Sequence, residues 1–358
     1  VQRVKGPRVE ISEPAARSVQ RGHPWIYRDA LGELPMKSEP GDVLSIVRRD
    51  GSFVATAMID PGSALAARVL SLEPGEKIDD AWLARRLDRA IDARTKLMPS
   101  IADGTTNAYR VCNGEGDLLP GLVIDRYAHV AVVRPDGEAA RRWVAENSSV
   151  ISRVLRRAGI TIVALRDTSK GAKDDSKLTS WSDEEPPATL VVQEHGMRME
   201  VDLHHGQKTG AFLDQRENRR LIRDISAGLS VWNGFSYTGG FSLAAALGGA
   251  TRVVSVDRAE AAIDTMLALG RLSQRRLHKP EVALAHYTEA LKLANGRGDQ
   301  EREGRVLVLM SWAQIAAKRF PDAIQTLAKA QWKYGLSEMA RSFSRTMFAN
   351  ALARLVPD

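Results

Sequence analysis

The stretch V-W-N-G-F-S-Y-T-G-G-F-S-L (231–243) with R-V-V-S-V-D (252–257) constrains the fold of this chain more than any other. It reads as an apolar strand, a glycine-bearing turn, the start of an Ala/Leu-rich helix, and a second apolar strand ending on an acid. Doubly wound sheets hold an adenosine with such a unit: glycines let the backbone approach the ligand, and the acid accepts hydrogen bonds from two ribose hydroxyls. Gly234, Gly239 and Gly240 do not form the G-x-G-x-x-G triplet that cradles a pyrophosphate. Without a diphosphate to bind, S-adenosylmethionine is a better candidate than NAD. On these residues alone, an ordinary strand–helix packing turn is the alternative.

The 358 residues suffice for two or three domains, and 44% hydrophobic with 27% charged residues is ordinary for a globular protein. No apolar run approaches the ~20 residues that span a bilayer, and V-Q-R-V-K-G-P-R has no apolar signal segment. A single cysteine excludes an intramolecular disulfide and fits a reducing cytoplasm. The net charge of +7 looks like a nucleic-acid signature, but residues 1–265 carry 36 Lys+Arg against 36 Asp+Glu, and residues 266–358 carry 15 against 8. Bulk charge therefore lends the adenosine-binding part no support; only local patches do. One such patch is 1–28, with six Lys/Arg and two Glu beside Trp25 and Tyr27. Cations for phosphates beside aromatic faces for bases are what RNA binding needs; a core Trp25 among solvated arginines is the alternative.

In chain order, 41–47, 52–59 and 66–72 read as short strands broken by Gly and Pro turns, the pattern of a small β-barrel. Residues 79–97 place Trp82, Leu83, Leu87, Ala90, Ile91 and Leu97 near a 3.6-residue period, an amphipathic helix. Two strands flank G-E-G-D within 108–127; a strand at 130–134, a helix at 138–158 and a strand at 160–166 follow. Glu115 and Asp117 read as an Asx-type turn pair rather than a general-acid pair, and Cys112 as a small buried hydrophobe. The polar 168–187 reads as a surface loop, and a strand pair flanks H-G-M (195–197). His204 and His205, neighbours in an expected strand, point to opposite faces and cannot share a metal. No metal site is expected. In G-Q-K-T-G-A-F-L-D-Q-R-E-N-R-R (206–220), Asp214 reads as a helix N-cap, Glu217 completes a capping box, and Leu221 and Ile222 face inward.

G-Q-K-T-G-x-F-L-D-Q-R-x-N-R, F-S-Y-T-G-G-F-S-L, the stretch R-S-V-Q-R-G-H-P-W-I-Y (17–27), similar to an R-x-G-H-P-W signature, and the run Y-R-x-x-x-G-E-x-D-x-L-P-G-L-x-x-D-x-Y closely resemble a bacterial family of 23S ribosomal RNA methyltransferases. The resemblance runs over 1–262. It implies an α/β chain with an N-terminal β-barrel: a PUA-like RNA-binding domain at 1–75, a linking helix at 76–106, a central α/β domain at 107–200, and a partial Rossmann-like, class I methyltransferase domain at 201–265. S-adenosylmethionine is the implied cofactor, against Lys208, Phe212, Asp214 and Arg216 of the first motif and Phe235, Tyr237, Gly239 and Asp257 of the second. Ribosomal RNA is the implied partner, at Arg17, Arg21, His23 and Trp25. Ala211 replaces an aromatic common in the family, a loss of local packing.

Past residue 262 the motifs stop. Cytosine C5 is a poor nucleophile, so members of the family add a cysteine thiolate to C6 before methylation, and a D-P-P motif grips the base. Here no D-P-P follows residue 257, no cysteine follows 112, and N-P-P-Y is lacking too. No catalytic residue is assigned. Instead 266–358 reads as helices: 280–294, 306–320 and 320–330, with a last helix at 337–354 and G-R-G-D-Q-E (296–301) as a short insertion. Their rhythm resembles tetratricopeptide repeats, with a plain bundle as the alternative. Two strands alone would leave apolar faces and edges uncovered; the helical tail, a partner chain, or an artificial junction of two coding sequences would account for that. The sequence thus leaves two functional readings: a methyltransferase with weak or no activity, or a non-catalytic RNA-binding adaptor with a partner-binding tail.

Overall fold

The computed structural model describes residues 7–166, 178–206, 208–257, 259–275, 278–297 and 299–334. They form two compact units, Val1–Asp214 and Gln215–Asp358. Among the described residues no helix is long and apolar enough to cross a membrane.

The first unit opens with strand β1 (Arg8–Glu10), helix α1 (Glu13–Gln20), β2 (Trp25–Tyr27), β3 (Val43–Val47), β4 (Phe53–Ile59) and β5 (Leu65–Ser71). They make one sheet ordered β1-β3-β4-β5-β2, antiparallel except for β1 with β3, with register shifts at Ile26/Tyr27, Ile46/Val47 and Thr56/Ala57. Such irregularities bend a sheet enough to curl it around its own core, here Val9, Ile11, Val19, Ile26, Ile46 and Ile59. Strand β2 is an edge strand on which Ile26 points in while Trp25 and Tyr27 point out.

Helix α2 (Asp80–Leu97), capped by Asp79 whose Oδ1 accepts from Trp82 N at 2.9 Å, and the short α3 (Pro99–Ala102) lead into the second sheet. Trp82, Leu83, Leu87 and Ala90 are buried as the period predicts, but Leu97 is exposed at the helix end. Strands β6 (Ala108–Asn113), β7 (Leu122–Tyr127) and β8 (Val130–Pro135) are antiparallel; β9 (Ile162–Arg166) returns parallel to β8, and β10 (Leu178–Ser180) adds antiparallel to β9. Alternation places Ala131, Val133 and Val163 against α2 and the two crossover helices, and Val130, Val132, Ile162 and Ala164 on the opposite face. The crossover is two helices, α4 (Glu138–Glu146) and α5 (Ser148–Arg157), where the pattern suggested one: Asn147 leaves helical geometry and its Nδ2 donates back to Trp143 O at 2.7 Å. Part of the expected 168–187 loop is β10, anchored by buried Leu178. The hairpin β11 (Thr189–Glu194) and β12 (Met197–Asp202) turns on His195 and Gly196, both left-handed, and covers the second face with Val192 and Val201. Strand β12 ends at Asp202, so His204 and His205 lie in a turn, not on opposite faces of a strand. Among the described residues no three His, Cys, Asp or Glu side chains cluster as metal ligands.

The second unit is helix α6 (Arg216–Ile225), strand β13 (Ser230–Gly234), helix α7 (Gly240–Leu247) and strand β14 (Arg252–Val256), with β13 and β14 parallel. Among the described residues four helices follow, α8 (Ala259–Arg275), α9 (Pro280–Arg297), α10 (Gln300–Ala316) and α11 (Phe320–Tyr334), each packed on the next. Their core holds Ile263, Leu267, Leu284, Tyr287 and Val306. The supposed insertion at 296–301 is a tight connection: Asp299 caps α10, its Oδ1 accepting from Arg302 N at 3.1 Å. The β13–β14 pair is a two-stranded sheet on which Trp232 and Val256 stay exposed, as does Leu229 just before it. The expected helix at 337–354 lies outside the described residues.

Candidate functional site

In the second unit the turn between β13 and α7 carries three left-handed residues, Phe235 (φ 58°), Tyr237 (φ 49°) and Gly239 (φ 78°). For Phe and Tyr that conformation costs about 1–2 kcal/mol each and persists only where the surroundings enforce it. Asp257, just past β14, accepts from Tyr237 N through Oδ2 at 2.5 Å; Ser236 N donates to Val256 O at 3.1 Å, and Gly239 N to Ser236 O at 2.8 Å. The acid that sequence reasoning assigned to a ribose therefore also pins the turn. Behind it Asn233 Nδ2 donates to Ser242 Oγ at 2.8 Å, and Ser242 Oγ lies 2.6 Å from Ser255 Oγ, tying both strands to α7. Phe235 is 94% exposed, its ring presented to solvent by the strained backbone.

In the first unit the segment after β12 is built on the central sheet. Asp125 of β7, 1% exposed, accepts from Arg110 Nε at 2.9 Å, from Arg110 Nη2 at 3.0 Å and from Thr209 Oγ1 at 2.6 Å. Because Thr209 spends its proton on that carboxylate, the 2.8 Å bond between Tyr127 OH and Thr209 Oγ1 is donated by the tyrosine, which in turn accepts from Ala211 N at 3.1 Å. Burial, aided by the negative charge of Asp125, pushes the Tyr127 phenol well up, so it stays a donor. The bond to Asp125 raises Arg110 likewise against the opposing effect of burial. Thr209 and Ala211 are thus bolted down, and Lys208 beside them sits left-handed at φ 59°. Its Nζ lies 4.5 Å from the Phe212 ring centre and donates to Asp214 Oδ1 at 3.0 Å. For Asp214 desolvation acts upward, but the Lys208 bond prevails and holds its carboxyl below the usual range.

Of the expected cofactor residues, the first unit brings Lys208, Phe212 and Asp214 together, and the second gathers Phe235, Tyr237, Gly239 and Asp257 around one turn. Arg216 opens α6 in the second unit, buried, its Nε 3.0 Å from Glu217 Oε1. Asp214 is not the helix cap: it sits in a 3-10 turn, Gln215 takes the cap position, and no side chain caps the helix. The inward face of α6 carries Arg216 and Arg219, whereas Leu221 is exposed and Ile222 half-buried, so the apolar positions did not mark the packed face.

On the barrel, Arg17 and Arg21 stand one turn apart along α1 and its C-terminus. Arg17 Nη1 is 3.4 Å from Glu13 Oε1, and Arg21 Nε donates to Arg17 O at 3.3 Å. His23 Nδ1 lies 3.0 Å from Trp25 O, and Trp25 is 38% exposed rather than core. Sequence reasoning missed Arg68, Arg110, Asp125, Tyr127 and Thr209. It also read Glu115 and Asp117 as partners within a turn. Asp117 does serve the turn, its Oδ2 accepting from Asn113 N at 2.6 Å, and it also takes both terminal nitrogens of Arg94 on α2, whereas Glu115 takes Arg68 of β5. The Y-R-x-x-x-G-E-x-D and D-x-Y positions were the available signal. Cys112 is buried with its thiol donating to Leu122 O at 3.2 Å, and burial pushes it up to about 12.

Residues 168–286 match the S-adenosylmethionine-dependent methyltransferase family and residues 9–72 a PUA-like domain. The first match extends past 262 into α9. A ribosomal RNA large subunit methyltransferase of Deinococcus radiodurans is 38% identical over 293 residues, covering 78% of this chain and 68% of the relative. Ribosomal RNA large subunit methyltransferase I of Escherichia coli is 34% identical over 295 residues, covering 82% and 73%. Two solved structures share the fold: a candidate SAM-dependent methyltransferase from Streptococcus mutans (TM-score 0.59, 22% identity, 79% of this chain and 67% of that one) and a candidate methyltransferase complexed with SAH (TM-score 0.60, 23% identity, 79% and 66%). The chain therefore spans about two thirds to three quarters of the length of these proteins.

Proposed function

The chain belongs to the family of S-adenosylmethionine-dependent methyltransferases of large-subunit ribosomal RNA, and from that premise we propose that it binds S-adenosylmethionine at the Phe235–Gly239 turn and 23S ribosomal RNA through its barrel. The observation that carries this reading is the turn itself: two left-handed aromatic residues, of which Tyr237 is held by the carboxylate that follows the next strand. Strain of this kind collects at ligand sites, and the residues fit the cofactor. Tyr237 and Gly239 shape the backbone beneath it, exposed Phe235 offers an apolar face, and Asp257 accepts from the ribose while fixing the turn. Lys208, Phe212 and Asp214 after β12, and Arg216 on α6, are the further cofactor-binding candidates that the first motif implies. When bound, the cofactor supplies an electrophilic methyl group. Arg17, Arg21, His23 and Trp25 are the RNA-facing residues, in a reducing cytoplasm.

This chain's residues supply no thiolate for cytosine C5 chemistry. Its single cysteine is Cys112, inside β6, protonated and donating to a backbone carbonyl. The chain accordingly binds cofactor and RNA with little or no methyl transfer. A second reading, an RNA-binding adaptor whose repeat-like helices α8–α11 hold a protein partner, is favoured by the two-stranded sheet that precedes them. Ultraviolet crosslinking of methyl-labelled S-adenosylmethionine separates the two. The first reading predicts label on the peptide containing 235–239 and none passed to cytosine in added 23S RNA. Label on no peptide of the second unit supports the adaptor, and multiple-turnover formation of 5-methylcytosine refutes the catalytic silence.

A further inference from the structure

Glu115 lies in the G-E-G-D turn between β6 and β7, yet its carboxylate reaches the barrel sheet. Its Oε1 accepts from the Trp25 indole Nε1 at 2.8 Å and from Arg68 Nη1 at 2.5 Å. Arg68, largely buried, turns its Nη2 to the carboxylate and the backbone carbonyl of Asp136, at 3.0 and 3.1 Å. Trp25 and Arg68 are register partners on β2 and β5. The second sheet thus grips the polar edge of an aromatic on the first. The His23 ring stands edge-on to Trp25, centroids 6.3 Å apart at 83°. Despite these restraints Trp25 stays accessible, and Tyr27, two residues along the same edge strand and on the same side, is also exposed.

We propose that Glu115 is a positioning residue for RNA at the barrel: it fixes the Trp25 indole in one orientation so that Trp25 and Tyr27 stack on unpaired bases. The inference rests on the reading of the barrel as the RNA-binding part. An aromatic face addresses a base only when that base is splayed out of a helix, so the substrate at this surface is single-stranded RNA rather than duplex. A side chain ordered before binding loses less conformational freedom when the base arrives. As an anion, Glu115 gains nothing from phosphate, so its effect passes through the indole it holds.

The test uses the full chain and fluorescence anisotropy with a labelled mixed-sequence RNA oligonucleotide, single-stranded or annealed to its complement. The single strand is expected to bind more tightly, and W25A to weaken that binding roughly ten-fold, the size of one aromatic stack. E115A should weaken it several-fold and add nothing further in a W25A background, because both act on one contact. W25F keeps a stacking face but loses the indole N–H without disturbing Arg68; it should match E115A. E115Q, whose amide oxygen still accepts from the indole, should recover wild-type affinity. Additive losses in the double variant, or W25F binding like wild type while W25A is weakened, would overturn the positioning role and leave the RNA surface standing. An unaffected W25A, or equal affinity for duplex, would sink the RNA reading of the barrel and the inference with it.

Discussion

Replacing Tyr127 by Phe removes one buried oxygen and tests how the Lys208 segment is held. In the native protein that oxygen donates to Thr209 and accepts from the Ala211 amide, so the change leaves a half-buried N–H without its acceptor and a buried hydroxyl without its donor. Ring volume is conserved and no cavity larger than an oxygen opens. The unsatisfied amide costs about 1–3 kcal/mol and the lost Thr209 bond roughly 1 kcal/mol, less what Thr209 keeps through Asp125. A net loss of about 2 kcal/mol follows, a roughly 30-fold rise in local opening. Hydrogen exchange read by mass spectrometry should show that rise in peptides covering 208–213 and little change in the barrel strands. Tryptic cleavage after Lys208 should accelerate in parallel. Tyr27→Phe, altering an exposed hydroxyl, should leave both unchanged. Exchange at 208–213 within two-fold of wild type would refute the claim that β7 fixes this segment.

Three further outcomes follow from the same geometry. Cys112, held as a thiol near pKa 12, should react with a disulfide reagent at pH 8 on the order of 1,000-fold more slowly than a free cysteine and fully once denatured; rapid native labelling would contradict its burial. At Gly121 the backbone is left-handed at φ 76°, and an added Cβ would stand 2.6 Å from Ala140 Cβ. Gly121→Ala should therefore lower stability by about 2–4 kcal/mol in denaturant titration, and a loss below ~0.5 kcal/mol would show that α4 yields freely. Burial lowers His286 below its ordinary value of 6.5. Its neutral form is favoured in the folded helices, so their stability is full above pH 6.5 and declines as pH falls toward the lowered folded value. His286→Gln should flatten that dependence in circular dichroism melts; an unchanged profile would assign it to other groups.

Much of the architecture was legible because it rests on periodicity. The 3.6-residue spacing of Trp82, Leu83 and Leu87 and the apolar strand at 130–134 reflect faces that are buried, and burial is what the sequence pattern encodes; the strand at 252–256 was equally legible, although its residues stay partly or fully exposed. Legibility failed where side-chain pairing overrides pattern. Leu221 predicts an inward face for α6, yet Arg216 and Arg219 occupy it; buried arginines held by neighbours look like solvated ones in sequence. Asn147 breaks one amphipathic run into two helices without a proline or glycine to announce it. At the candidate site the turn residues and Asp257 were readable from strand–turn–helix spacing. Asp125, Tyr127 and Thr209 were not, since more than 80 residues separate the partners and only the folded sheet joins them. Trp25 was singled out with Arg17, Arg21 and His23, while Glu115, 90 residues on, was taken as part of a local turn.

The most direct measurement is isothermal titration of the full chain with S-adenosylmethionine, wild type beside Asp257→Ala. A turn pinned by that carboxylate should bind the cofactor with micromolar affinity and lose at least ten-fold when the pin is removed, from about 1.4 kcal/mol or more of lost charged hydrogen bonding. No heat from the wild type, or equal affinity in the variant, would mean that the strained turn holds no cofactor.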